Sequence, residues 1–454
     1  MAGIGFALRR GLQGESYTSL LRTYALAGVI GSGPWILSMG SMVFIGLYTG
    51  SAERGTDVVT QFLATVTHLM ALSLITAGCI QLLFVRFVAD RLFAARHADI
   101  LPNLVGAMTV LTGIAAVGAT VEVCVLFDGN VPLRVIFVSS FVALSNVWLL
   151  TALMSGLKRY RTVLLVFGLG FGAMIAIALF AARFGLVGYL AGFFLGNAGM
   201  LFGMFATISR EYPSPRPIAF DFLNLRVVHP ELAVIGLLIN LAIWADKFVF
   251  WANPVTSIQL IGPVRYSIVY DVPIFVAYLS VVPGMAVFFV RIEADFAQAY
   301  LEYFGAVREG ETLSELRRLR DALVLSARSG LYDILRIQGV TVALLLVVGN
   351  RVMALFNIPS VYGYLFRIDV VGVGFQTFLL GIFTILFYLD YRRLVLKLSV
   401  LFTALNVSLS LWSQALGPRF YGSGFTVAVA LTSLIGLHAL STRLDRLEYE
   451  TFMR

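Results

Sequence analysis

Twelve runs of mostly apolar residues follow one another along the chain, at roughly 25 to 49, 61 to 88, 103 to 125, 132 to 156, 161 to 183, 186 to 208, 229 to 250, 267 to 290, 331 to 355, 367 to 389, 394 to 416 and 424 to 441. Runs of this length match the hydrocarbon core of a bilayer, where backbone polar groups must be bonded within the protein, so each reads as a transmembrane helix. The first has eleven successors of the same kind and no plain cleavage site, which sets it apart from a secretory signal. Composition agrees, since 13% of the 454 residues are charged against roughly a quarter in a soluble chain. The expected fold is an all-α integral membrane protein of about twelve transmembrane helices.

Lysine and arginine collect on the cytoplasmic side of short loops. With the N-terminus inside, 25 of the 33 basic residues fall on that side, which places both termini in the cytoplasm. The net charge of +8 then follows from topology and contact with anionic lipid, and calls for no nucleic acid. Two six-helix lobes are expected, residues 1–208 and 229–441, followed by a cytoplasmic tail, 442–454. They are joined by a cytoplasmic linker, 209–228, in which Pro213, Pro215 and Pro217 favour extended backbone. A cytoplasmic amphipathic insertion, 292–330, is expected between helices 8 and 9. Within it Thr312 and Glu315 form a capping box, Leu316, Leu319 and Leu323 one face, and Arg317, Arg318 and Arg320 the other. That leucine face suits either a lipid surface or the docking of a cytoplasmic partner.

Signatures of catalysis are absent: no phosphate-binding glycine loop, no HExxH, no nucleophile elbow, and no D-x-D for a metal-bound nucleotide sugar. The four histidines, His68, His97, His229 and His438, are scattered over different segments. No enzyme activity, metal site or cofactor is therefore expected. What remains is polar chemistry within the spans, where such groups must face protein or water. Asn146, Asn197, Asn240, Gln376 and Asn406 lie near span centres, with His68 not far from the middle of the second span. The plain structural reading is interhelical hydrogen bonding, worth about 0.6 kcal/mol each; the functional reading is a hydrated cavity suited to sugar hydroxyls.

Charges are fewer. "NLAIWADKFVFW" sets Asp246 and Lys247 beside Trp244, and "YDVPIFVAYLSVVPG" supplies Tyr270, Asp271 and Tyr278. Aromatic faces beside carboxylates suit carbohydrate, although interfacial aromatic belts look alike and Asp271 is placed to cap a helix. Neighbours on a helix point about 100° apart, so Asp246 is expected to face the cavity and Lys247 to snorkel to the outer head groups or pair across to another span. In the first span, "GVIGSGPW" places Gly31, Gly33 and Pro34 together; Pro34 lacks an N–H and crowds the carbonyl of Ile30, which predicts a bend and a hinge. Pro283 and Gly284 predict another in the eighth.

The segments "MAGIGFALRR", "GVIGSGPW", "NLAIWADKFVFW" and "YDVPIFVAYLSVVPGMAVFFVRIEADF" resemble the PelG family, the inner-membrane transporter of the Pel exopolysaccharide machinery, and the likeness runs over essentially the whole chain. The family resembles the superfamily of multidrug, oligosaccharidyl-lipid and polysaccharide exporters, with twelve helices in two lobes. The resemblance implies export of an N-acetylgalactosamine-rich polymer made by a cytoplasmic glycosyltransferase, PelF, with the membrane proteins PelD, a cyclic-di-GMP receptor, and PelE as partners. Cation-coupled drug exporters of the superfamily carry an acid in the first span, and none lies between Arg22 and Gly50 here. A lipid-linked oligosaccharide flippase and a non-transporting scaffold for the glycosyltransferase are the alternatives. The first would need basic groups at mid-span, which are missing, and the second would not need a bent first span.

Overall fold

A computed structural model describes residues 17–50, 56–126, 131–157, 159–224, 228–355 and 359–453. The helices are α1 (Tyr17–Gly50), α2 (Thr56–Phe93), α3 (Ile100–Leu126), α4 (Val131–Gly156), α5 (Tyr160–Phe180), α6 (Gly185–Glu211), α7 (Glu231–Ala252), α8 (Ile268–Tyr278) and α9 (Val281–Val290). They continue as α10 (Ala297–Glu309), α11 (Leu313–Leu355), α12 (Gly363–Tyr388), α13 (Arg392–Leu416), α14 (Ser423–Asp445) and α15 (Leu447–Met453). One antiparallel hairpin, β1 (Ile258–Ile261) and β2 (Val264–Tyr266), sets Ile258 opposite Tyr266 in a loop where no strand was expected. Among the described residues ten helical stretches are long and apolar enough to cross a membrane, eleven when the bent first helix counts as one span. The expectation of twelve runs divides one of these, Tyr160–Glu211, where the chain turns through the short 3-10 segment Ala181–Phe184.

The chain forms two compact units. The N-terminal unit holds Pro34–Trp244 and Trp251–Tyr266; the C-terminal unit holds the described part of Met1–Gly33, Ala245–Phe250 and Ser267–Arg454. These units do not coincide with 1–208 and 229–441, because α1 and α7 each contribute to both. Small residues set the N-terminal unit's close packing. In α6, Gly192 lies where a Cβ would stand 2.5 Å from the Ala178 nitrogen, and Gly196 where it would stand 2.7 Å from Met174 Cβ, both of α5. Without a hydrophobic drive between helices in lipid, such seams are how they approach closely. The linker is not a free tether: Ala219 N–H donates to the Pro102 carbonyl, and Asn103 receives the Asp221 N–H at 2.8 Å while donating to its carboxylate at 3.1 Å.

Helix α1 bends by 55° between Thr23–Val29 and Ser32–Gly46, at the turn whose Ile30 carbonyl Pro34 leaves without its partner. In the eighth span the break falls at Leu279–Ser280, between α8 and α9, one turn before Pro283. The missing N–H of Pro283 frees the Leu279 carbonyl, so the break precedes the proline. Gly284 serves close packing instead: a Cβ there would lie 2.7 Å from the side-chain amide carbon of Gln338 on α11.

Segment 292–330 is a helical hairpin continuous with its flanking helices. A π-helical stretch, Arg291–Phe296, joins α9 to α10, and residues 313–330 are the start of the 43-residue α11. Between them Gly310 takes the left-handed conformation, φ +73°, and Thr312 accepts the Glu315 N–H at 3.4 Å. Leu316 and Leu323 are buried inside the unit, at 7% and 0% exposure, and Leu319 is half-buried. This corrects the assignment of those leucines to a partner: the chain itself covers the two innermost. On the other face Arg317 and Arg320 pair with Glu448 of the tail helix α15, and Tyr303 donates to Thr451 at 3.2 Å.

Candidate functional site

Asp246 is fully buried in the C-terminal unit, on α7. Its carboxylate is bonded from three directions. Tyr270 of α8 donates its hydroxyl to Oδ2 at 2.7 Å, Asn406 of α13 donates to Oδ1 at 3.3 Å, and Lys247 Nζ lies 3.1 Å from Oδ2 and 3.3 Å from Oδ1. Of the two expectations for Lys247, reaching the membrane surface is corrected, since the side chain folds back on its neighbour and is 5% exposed, while pairing across to another span describes its second contact. The four-carbon stem of lysine spans the angle that separates the two Cβ directions. Its ammonium also donates to the Tyr278 hydroxyl at 3.4 Å and sits over the rings of Tyr278 and Phe425 at 5.1 and 5.3 Å.

The network extends outward. Tyr278 donates to Gln376 of α12 at 3.0 Å, and Ser410 donates to the Asn406 carbonyl oxygen at 3.0 Å, which orients the amide with its NH2 toward Asp246. Phe250 stacks on Tyr270 at 3.9 Å and 11°, with Tyr421 edge-on at 5.0 Å, closing the apolar side. Five of the candidates, Asp246, Tyr270, Tyr278, Gln376 and Asn406, are thus gathered by four helices around one ion pair.

Asp369 of α12 belongs beside them and was missed. It is 0% exposed, neither oxygen has a hydrogen-bond partner among the described residues, and Asp246 and Lys247 are charges that act on it. Its Oδ1 stands 2.6 Å from where a Cβ on Gly422 would be, so the left-handed glycine, φ +81°, opens the space it occupies at the start of α14. A helix N-terminus favours a carboxylate. The signal was present in "FRIDVVGVGF", a lone acid inside an apolar run.

The other candidates lie elsewhere. Asp271 accepts the Ser267 N–H at 2.9 Å while Ser267 Oγ accepts from Tyr270 N–H at 3.3 Å, a reciprocal cap at the start of α8 and the capping role its sequence position allows. Asn146, Asn197, Asn240 and Trp244 belong to the N-terminal unit. There Asn197 donates to the Phe193 carbonyl at 2.8 Å and Asn240 to Gly236 at 3.0 Å, each one turn back in its own helix. Asn146 does the same to Val142 and adds Thr112 at 2.9 Å. Trp244 lies 6.3 Å from Trp251, ring to ring.

Comparison with known proteins comes from three directions. The family model for PelG, exopolysaccharide exporter (EPS-E), matches residues 1–452. No curated protein matches. Among solved structures, an inward-facing multidrug resistance MATE family transporter of the MOP superfamily is 14% identical with a TM-score of 0.59, over 94% of this chain and 96% of that one. A MOP superfamily transporter from Pyrococcus furiosus, described as having a binding pocket of reverse polarity, is 15% identical with a TM-score of 0.62, over 94% and 97%. A MATE transporter in the bent conformation is 14% identical with a TM-score of 0.63, over 98% of both chains. At these identities the likeness is one of fold, a MATE-like transporter fold.

Proposed function

The chain belongs to the PelG family of exopolysaccharide exporters, and from that premise we propose that it passes the Pel polysaccharide, an N-acetylgalactosamine-rich polymer, across the bacterial cytoplasmic membrane. Family and fold are those of a multi-pass membrane exporter rather than an enzyme. The polymer is made by the cytoplasmic glycosyltransferase PelF, and the chain works in a complex with PelF, PelD and PelE, with both of its termini cytoplasmic. The observation that carries a transport mechanism is the polar cluster of the C-terminal unit, set within apolar spans of α7, α8, α12 and α13: Asp246, Asp369, Lys247, Tyr270 and Asn406 are buried, and Tyr278 and Gln376 half-buried. A carboxylate at mid-depth costs at least about 2.5 kcal/mol on insertion scales unless paired or hydrated, and such residues mark transport paths.

Asp246 and its partners present what a sugar chain requires when the cluster opens: acceptors for hydroxyls, amides for acetamido groups, and the aromatic faces of Tyr270 and Tyr278. Gly31, Gly33 and Pro34 supply the bend of α1 on which opening turns. Lys247 is neutralised by Asp246 and so is not positioned to grip a pyrophosphate, which weighs against the lipid-linked flippase reading. The scaffold reading is separated by experiment. In cells that make the polymer, loss of this chain abolishes extracellular polymer, and the Asp246→Asn variant fails to restore it while still recruiting the glycosyltransferase to membranes. Extracellular polymer at normal level without the chain, or accumulation of a lipid-linked oligosaccharide in its absence, would overturn the assignment.

A further inference from the structure

A second pair of ionisable groups lies in the N-terminal unit, remote in sequence from anything used above. His68, in the run "TVTHLMAL" of α2, places Nε2 2.7 Å from Oε1 of Glu122, in "ATVEVCVL" of α3. Their side chains are 12% and 15% exposed. The imidazole lies 6.0 Å from the Trp251 ring, tilted by 36°. Its other nitrogen, Nδ1, is buried and has no hydrogen-bond partner among the described residues.

We infer that His68 and Glu122 form a proton-binding site in the N-terminal unit, which takes up one proton at the buried Nδ1 of the imidazole. Opposed costs act on the pair. With a neutral ring donating from Nε2 to an ionised Glu122, the pair carries a net negative charge inside apolar helices, which the bilayer penalises. With a proton added from solvent at Nδ1, the pair becomes a neutral imidazolium–carboxylate pair, but the new N–H lies where nothing accepts it, and an unsatisfied buried donor is penalised in turn. Neither state is fully accommodated. Because Nδ1 is shut off in this arrangement, the proton arrives only when α2 shifts or water enters, so protonation and local motion are tied together.

Among the described residues no second charged group pairs with His68 or Glu122. The ionisable groups of α4 reduce to Arg134 in its first turn, and those of α6 to Tyr189, stacked on Phe62 at 5.4 Å, and the terminal Arg210 and Glu211, the latter held by Arg159. On the hairpin, Arg265 donates to Ser257 Oγ at 2.9 Å. Within the N-terminal unit, α7 carries only Glu231, beside His229 at its start, and α1 from Pro34 onward only Tyr48.

Trp251 makes the site readable without transport, since an imidazolium beside an indole quenches its emission. Purified full-length protein in nanodiscs is scanned from about pH 5 to about pH 8, the range in which an imidazole ordinarily changes charge. The expected result is a reversible drop in tryptophan emission on acidification that is lost in His68→Gln, which keeps a donor for Glu122 but does not titrate, and lost in Trp251→Phe, which removes the reporter alone. If His68→Gln fails to fold, 15N-histidine spectra of the wild-type protein, with its four histidines, read the imidazole directly. Emission that stays flat, a drop that survives in a folded His68→Gln protein, or a histidine spectrum in which every signal reports a freely exposed ring would each overturn the proposal and leave the pair as a clamp between α2 and α3.

Discussion

The two units arrange the polar residues of their apolar helices differently, as one network of four helices in the C-terminal unit and as own-helix bonds or isolated pairs in the N-terminal unit. In the C-terminal unit Asp246, Lys247, Tyr270, Tyr278, Gln376 and Asn406 reach across from separate helices and bond to one another. In the N-terminal unit Asn197 and Asn240 turn back to their own helix carbonyls, and the helices meet along glycine seams. A polar residue at a span centre therefore says little by itself. What marks a site is convergence: several helices contributing to one network that includes a charge the network does not fully neutralise, here Asp369.

The contrast predicts a graded series of substitutions. Asp246→Asn should be the most severe, because it leaves Lys247 buried without its counter-ion. Removing one partner of a buried pair costs about 3 to 5 kcal/mol, seen as a lowered thermal midpoint in detergent or nanodiscs. Removing both charges in Asp246→Asn/Lys247→Met should recover most of that stability and none of the export. A double variant as unstable as the single would show that the pair is not the unit that matters.

Next in size is Asn406→Leu, which deprives Asp246 of a donor and Ser410 of an acceptor, a loss of about 1 to 3 kcal/mol. The same change at Asn197, whose amide serves only its own helix, should cost no more than about 1 kcal/mol and leave export intact. Equal effects at the two positions would erase the distinction between the units. Asp271→Ala falls between them: loss of a helix cap costs about 0.5 to 2 kcal/mol, and polymer export should persist at matched membrane levels. Smallest of all, Glu448→Gln removes the charge shared by Arg317 and Arg320 at the tail while keeping an acceptor oxygen, a loss of about 1 kcal/mol or less for such partly exposed ion pairs.

Much of the architecture was legible in the sequence, because apolar length and positive charge are written residue by residue. The bend at Pro34 was legible for the same reason, since a missing N–H acts on a carbonyl four residues back. The site was legible in part. Asp246, Tyr270 and Tyr278 were drawn out by the company of aromatics and acids in contiguous stretches, and Asn406 and Gln376 by their depth in a span. Asp369 lies near the start of the tenth run, two residues after Arg367, where a charge at a span end draws little notice, while for Lys247 the Cβ direction does not decide where a long flexible side chain ends. The leucines of α11 show the converse: amphipathic spacing identified a buried face correctly, but could not tell whether a partner or the chain's own helices bury it.

The most direct test of the account compares polymer export by Asp246→Asn, Asp369→Asn and Asp271→Asn at matched membrane levels, with glycosyltransferase recruitment followed in parallel. Extracellular polymer should be lost in the first two, retained in the third, and recruitment should be unchanged in all. Normal export by both Asp246→Asn and Asp369→Asn would contradict the claim that the buried cluster of the C-terminal unit serves transport.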